Sequence, residues 1–130
     1  MCGILGFSGK YHALDKFKFK SALQTLNHRG PDGEGIFIEN NILFGHKRLS
    51  IIDLSKNGSQ PMIDSKSGCV LIFNGEIYNY LELKKSLKSR GHSFSSNTDS
   101  EVLLKAYIEW GYECVNYFNG MWSFAIYDPK

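Results

Sequence analysis

An α+β fold is what this 130-residue sequence predicts, on three observations. Short apolar runs of strand length, punctuated by Gly, Asn and Asp, recur along the chain. Between them lie segments with helical spacing, two of which carry start and stop signals. The helices cluster between strands, as expected of packed antiparallel layers.

The elements follow in order. GILGFSG (3 to 9) is a glycine-punctuated apolar run that reads as a buried strand. Residues 15 to 26 place Phe19, Ala22, Leu23 and Leu26 at helical spacing. NHRGPDGEG (27 to 35), with four glycine or proline residues in nine, is loop. GIFIENNILFGHKRLSIID (35 to 53) reads as two strands meeting at Asn40 and Asn41. VLIF (70 to 73) is apolar throughout, the pattern of a strand buried on both faces. Asn74 and Gly75 close it with the strongest short-range hairpin signal there is.

Asn79 stands where it can cap a helix running to about Arg90, with Tyr80, Leu83 and Leu87 inward and Gly91 just past the end. Thr98 and Glu101 have capping-box spacing ahead of a second helix, whose face is Val102, Leu103, Ala106, Tyr107 and Trp110. Gly111 ends it, and FNGMWSFAIYD (118 to 128) returns to a strand pattern. Asp128, Pro129 and Lys130 follow as turn residues with no helix to cover that strand, so a piece of a longer chain is expected.

The length suits one domain, burying roughly two-thirds of its unfolded surface. A net charge of +2 with 22% charged residues gives no footprint for nucleic acid. The lysines of KFKFK (16 to 20) and KKSLK (84 to 88) alternate with apolar residues as solvated helix faces do. Cys2, Cys69 and Cys114 cannot all pair and show no zinc spacing, which favours a reducing cytoplasm. No apolar run reaches the roughly 20 residues that span a bilayer, and no secretory signal opens the chain. No Gly-rich phosphate loop precedes a suitable helix, so no ATP chemistry is expected of these residues.

Met1 precedes a small side chain, and its removal would put a thiol and a free α-amine on Cys2. An amine with a pKa of about 7.7 to 8.0 is a far better base near neutrality than a lysine at about 10.4, so it can activate its own thiol. Arg48, in HKRLSIID, is placed at a strand end where a planar guanidinium can hold a carboxylate through two bonds. Asp99 can receive an ammonium group, and Glu76 follows the Asn-Gly pair. Each has an ordinary reading: an inert terminal thiol, a surface arginine, a helix-cap acid, an exposed acid. Together they describe a pocket for an α-amino acid.

MCGILGF, HRGPDGEG, GHKRLSIID, FNGEIYNY, NTDSEVLLKAY and NGMWSFAIYD, in that order, resemble the glutaminase domain of class II glutamine amidotransferases, which are N-terminal-nucleophile hydrolases. RGPD (29 to 32), RLSIID (48 to 53) and NGEIYNY (74 to 80) are similar to the glutamine-hydrolysing asparagine synthetase branch. The resemblance implies a four-layer αββα sandwich of antiparallel sheets, truncated at the C-terminus. Residues 1 to 130 would be the N-terminal part of the glutaminase domain, with the synthetase domain absent from this chain. Cys2 would be the nucleophile, with its own amine as base. Arg48 would grip the substrate carboxylate, with Leu49, Ser50, Ile51 and Ile52 lining the pocket. Asn74 by its side chain and Gly75 by its N–H would form the oxyanion hole, and Glu76 and Asp99 would hold the ammonium end.

The implied reaction is hydrolysis of L-glutamine to glutamate and ammonia through a γ-glutamyl thioester, with no metal or organic cofactor. The ammonia would supply an ATP-dependent amidation, of aspartate or of a related acid such as a sugar acid. ATP and Mg belong only to the missing synthetase domain of the parent chain. Partners are therefore glutamine and that domain, with no nucleic acid and no membrane; a homodimer is compatible with the resemblance. Two other readings stay open: a hydrolase in which His28 or His46 activates a thiol, and a non-catalytic binding domain of the same fold. If the site is real, Asn74 points into a pocket near Cys2, and residues 76 to 79 lead into a helix without folding back on 70 to 73.

Overall fold

The computed structural model describes residues 2–10, 12–39, 41–50 and 55–130. Two three-stranded antiparallel sheets lie face to face with helices outside them. The first holds β1 (Gly3–Ser8), β2 (Gly33–Glu39) and β3 (Ile42–Arg48) in the order β1-β3-β2. The second holds β4 (Met62–Ile63), β5 (Val70–Ile77) and β6 (Gly120–Tyr127) in the order β4-β5-β6. Helix α1 (Ala13–Gln24) packs on β3, while α2 (Tyr80–Ser89) and α3 (Asp99–Trp110) pack together with α3 on β5. The sheets meet through β5 against β1 and β3, which makes the four layers helix, sheet, sheet, helix. None of the described helices is long and apolar enough to cross a membrane.

β5 organises both cores, because successive side chains on a strand point to opposite faces. Val70 and Ile72 join Phe44 between the sheets, where Ile4, Phe37, Ile42, Ala125 and Tyr127 close around them. Leu71, Phe73 and Ile77 face the helical side with Leu83, Leu87, Val102, Leu103 and Ala106. The all-apolar run at 70 to 73 therefore is a strand buried on both faces. On the far side of the first sheet, Gly45 lets α1 approach closely. A Cβ there would stand 3.0 Å from Leu23 and 3.2 Å from Phe19, and Leu23 is fully buried.

Several elements differ from the sequence reading. The strand does not stop at Asn74: β5 continues to Ile77, with Asn74 opposite Ser123 and Gly75 opposite Trp122. Gly75 is a glycine of close approach and not of a turn, since a Cβ there would meet the Met121 carbonyl oxygen at 2.3 Å. The expected course beyond it holds: residues 76 to 79 lead into α2 without folding back on 70 to 73, which pair with β6.

Asn79 does stand at the N-terminus of α2, but its side chain does not cap it. Its Nδ2 donates to Tyr117 O (2.9 Å) and its Oδ1 accepts from Asn119 N–H (2.9 Å), tying α2 to the loop before β6. Thr98 caps α3 by accepting from Glu101 N–H (3.2 Å). Glu101 binds Ser95 and Ser96 N–H groups at 2.8 and 2.7 Å, so the reciprocal half of the capping box is diverted to the preceding loop. β1, expected as a buried strand, is an edge strand buried at its start only: Gly3 is buried, Ile4 and Leu5 are half-buried, and Gly6, Phe7 and Ser8 are exposed. β3 ends at Arg48, where Leu49 and Ser50 leave the ladder.

Candidate active site

On the face of β5 that carries Val70 and Ile72, the side chains change from apolar to polar at Asn74 and Glu76. These two therefore emerge where the inter-sheet core gives way to a cavity. That cavity, open and about 160 Å³, is lined by Cys2, Arg48, Leu49, Ser50, Gly58, Gln60, Phe73, Asn74, Gly75, Glu76, Thr98, Asp99, Ser100 and Met121. Cys2, Arg48, Leu49, Ser50, Asn74, Gly75, Glu76 and Asp99, separated by up to 97 positions, thus share one wall-to-wall site. Met1, Ile51 and Ile52 lie outside the described residues.

Cys2 enters from the start of β1, beside the end of β3. Its Sγ accepts from Leu49 N–H at 3.3 Å and lies 3.7 Å from Leu49 O. Its carbonyl accepts from Arg29 Nε at 3.0 Å. The HRGPD loop braces this junction from below. Asp32 N–H donates to Arg48 O (2.9 Å), and Asp32 Oδ2 accepts from Ser50 N–H (2.8 Å). Gly30 packs so tightly on β3 that a Cβ would stand 2.3 Å from the Lys47 carbonyl. The sequence showed this stretch only as loop; its bracing role depends on where β3 passes.

Arg48 reaches Ser55 O with Nη1 at 2.8 Å. Its guanidinium lies against Gly58, where a Cβ would come within 2.5 Å of Nη2. Asp99 is 5% exposed, and its Oδ2 accepts from Ile77 N–H at 3.0 Å. Burial pushes this carboxyl above its ordinary range; the Ile77 N–H opposes that, and the charge of Glu76 adds to it. Asn74 Oδ1 is buried with no partner among the described residues, so a polar side chain faces the cavity incompletely satisfied.

The other cysteines stand elsewhere. Cys69 and Cys114 are buried, and burial pushes the Cys114 thiol up to about 11. Among the described residues neither His28 nor His46 lines the cavity. His28 is exposed with Nδ1 3.0 Å from Thr25 O. His46 is wholly buried, with Nε2 3.2 Å from Phe73 O, and burial pushes its imidazole down to about 4. A neutral ring occupied in this way does not serve as the base for Cys2. Gly58, Gln60, Ser100 and Met121 line the cavity with no local signal of their own in the sequence, and Thr98 is marked there only as a helix cap, since only the crossing of distant segments brings them to the site.

The family model of a glutamine amidotransferase domain matches residues 1–130. Asparagine synthetase [glutamine-hydrolyzing] 3 of Bacillus subtilis (strain 168) is 42% identical over 134 residues, covering 100% of this chain and 22% of that protein. Asparagine synthetase B [glutamine-hydrolyzing] of Escherichia coli (strain K12) is 40% identical over 132 residues, covering 100% of this chain and 24% of that one. The chain thus spans about a quarter of the length of the curated relatives it matches. Among solved structures, glutamine phosphoribosylpyrophosphate amidotransferase from B. subtilis, complexed with ADP and GMP, superposes with a TM-score of 0.79 at 20% identity. That match covers 98% of this chain and 35% of the other, a likeness of fold.

Proposed function

Because this chain belongs to the class II glutamine amidotransferases, we propose that its cavity hydrolyses the side-chain amide of L-glutamine, as the glutaminase part of a protein like the glutamine-hydrolysing asparagine synthetases it resembles. The observation that carries this reading is the convergence of one thiol, one guanidinium, two carboxylates and an Asn-Gly pair on a single cavity.

In this reading Arg48 binds the glutamine α-carboxylate, and Asp99 with Glu76 binds the α-ammonium. Those contacts leave the side-chain amide at Cys2. With Met1 removed, the terminal amine takes the thiol proton as Sγ bonds to the amide carbon. The oxygen gains negative charge and is held by the Asn74 carboxamide and the Gly75 N–H. The C–N bond then breaks as the amine returns its proton to departing ammonia. Water, activated by the same amine, hydrolyses the thioester and releases glutamate. Thiol, amine and donors supply every step, so this half needs no metal or organic cofactor. The ammonia would feed an acceptor-activating synthetase domain of the parent protein, where ATP and Mg would act. Three free thiols favour a cytoplasmic setting.

Ammonia release from glutamine, measured on the natural full-length protein, tests the reading. Cys2→Ala and an uncleaved N-terminal extension should each lower it at least a thousandfold, and a glutamine-like electrophile should label Cys2 alone. Activity surviving the extension would sink the terminal-amine mechanism. Glutamine binding without release or labelling would leave a non-catalytic domain.

A further inference from the structure

β4 pairs with β5 through only two residues, Met62 opposite Leu71 and Ile63 opposite Val70. Extended by its own register, that ladder would next set Gln60 opposite Phe73, across Pro61 opposite Ile72. Pro61 has no N–H and the backbone ladder stops. The rung is nevertheless made, by side chains. Gln60 Oε1 accepts from Phe73 N–H at 2.6 Å, and the Phe73 carbonyl oxygen lies 3.2 Å from His46 Nε2. Gln60 Nε2 is itself held by Ser100 Oγ at 3.2 Å. All three side chains are buried, at 8% exposure or less.

The two clamping residues are brought together by Gly35, which pairs with His46 in the first sheet. A Cβ at Gly35 would stand 2.0 Å from the Gln60 carbonyl oxygen, so a bare backbone lets the Gln60 segment lie on that sheet.

In an antiparallel strand the N–H groups along one edge recur every second residue. The edge that offers Phe73 N–H to Gln60 next offers Gly75, and then Ile77, whose N–H goes to Asp99 Oδ2 at 3.0 Å. Gly75 thus lies between two donors that buried side chains have already taken, at the place where the edge faces the cavity. A backbone strand continuing past Gln60 would have covered that position. A side-chain rung ends the sheet firmly at Phe73 and leaves the following donor exposed to a ligand.

We propose that Gln60 and His46 are positioning residues for the oxyanion donors: by fixing the two peptide groups that flank the Phe73 Cα, one through its N–H and the next through its carbonyl, they set the direction of the Gly75 N–H and of the Asn74 side chain at Cys2. The assignment rests on the glutaminase reading above.

The test compares kcat and KM for glutamine hydrolysis in the natural full-length protein with the rate at which iodoacetamide alkylates Cys2, a displacement that builds no oxyanion. Gln60→Met and His46→Leu should each lower kcat tenfold or more, with KM within threefold and alkylation within twofold of wild type. His46→Gln, which retains an N–H donor, should recover most of the loss. Should His46→Leu fail to fold, Gln60→Met and the milder Ser100→Ala decide, the latter with about a threefold fall in kcat. Values of kcat within twofold of wild type in these variants overturn the assignment. So does a parallel fall in kcat and alkylation, which marks general disturbance. A wild-type protein that is alkylated at Cys2 but releases no ammonia from glutamine overturns the glutaminase reading and this assignment with it.

Discussion

Arg48 can lie where it does because residue 58 has no side chain. A methyl group on Gly58 would meet both the Arg48 guanidinium, at 2.5 Å from Nη2, and Thr98 Cγ2, at 2.9 Å. Gly58→Ala should therefore displace the carboxylate grip proposed for Arg48 and raise the KM for glutamine about tenfold while moving kcat little, as expected when binding is lost equally from ground and transition states. Arg48→Lys should act in the same direction, since a point charge cannot make two parallel bonds. Steady-state kinetics check both, and an unchanged KM in Arg48→Lys would remove that residue from the site. The sequence singled out Arg48 because a guanidinium at a strand end is a chemical signal. Gly58 carries none: its meaning comes from an arginine ten residues away folding over it. For the same reason Cys2, Asn74 and Asp99 were legible by residue type, whereas Gln60 and Ser100 were ordinary polar residues until β5 passed beside them.

Among the elements, β4 is the shortest, and an ion pair secures the turn behind it. Asp64 follows β4 and is 7% exposed; it pairs with Lys105 of α3 and accepts from Ser67 N–H at 2.8 Å and Ser67 Oγ at 2.9 Å. Burial pulls this carboxyl upward, but the Lys105 bond and the two Ser67 bonds outweigh it and hold the carboxyl at about 2, below its ordinary 3.8. A depressed folded-state pKa contributes stability above the unfolded value and loses it as pH falls through the folded one. Lys105→Met should cost on the order of 1–2 kcal/mol at pH 7, and the gap to wild type should close between about pH 4 and 2. Urea unfolding at pH 7 and pH 3 measures it; equal gaps at both would show that the pair does not carry the effect. Element boundaries were legible where side chains alone decide them, as in α3 from Thr98 to Gly111. They were misread at Asn74-Gly75, because a turn signal and a strand that needs a bare backbone beside its neighbour look alike until β6 is in place.

For the molecule as a whole, the sequence showed the layers but not their order. Apolar alternation says which side of a strand is buried; it does not say that β3 sits between β1 and β2, or that β6 returns after residues 78 to 119 to pair with β5. Those choices follow from covering both faces of β5 at once. Ile72, 1% exposed between the sheets, reports on that packing. Ile72→Ala should cost about 2–5 kcal/mol, by lost burial and by the cavity left behind. A loss under about 1 kcal/mol in chemical denaturation would mean the two sheets close over the gap. The same joining of halves bears on how this site can change over time. At position 75 a side chain is excluded by β6, so the residue that would offer its N–H beside Cys2 in the proposed reaction is already held to glycine by packing alone. Natural or designed drift toward other substrates has no freedom at that rung, and must enter through the residues around it.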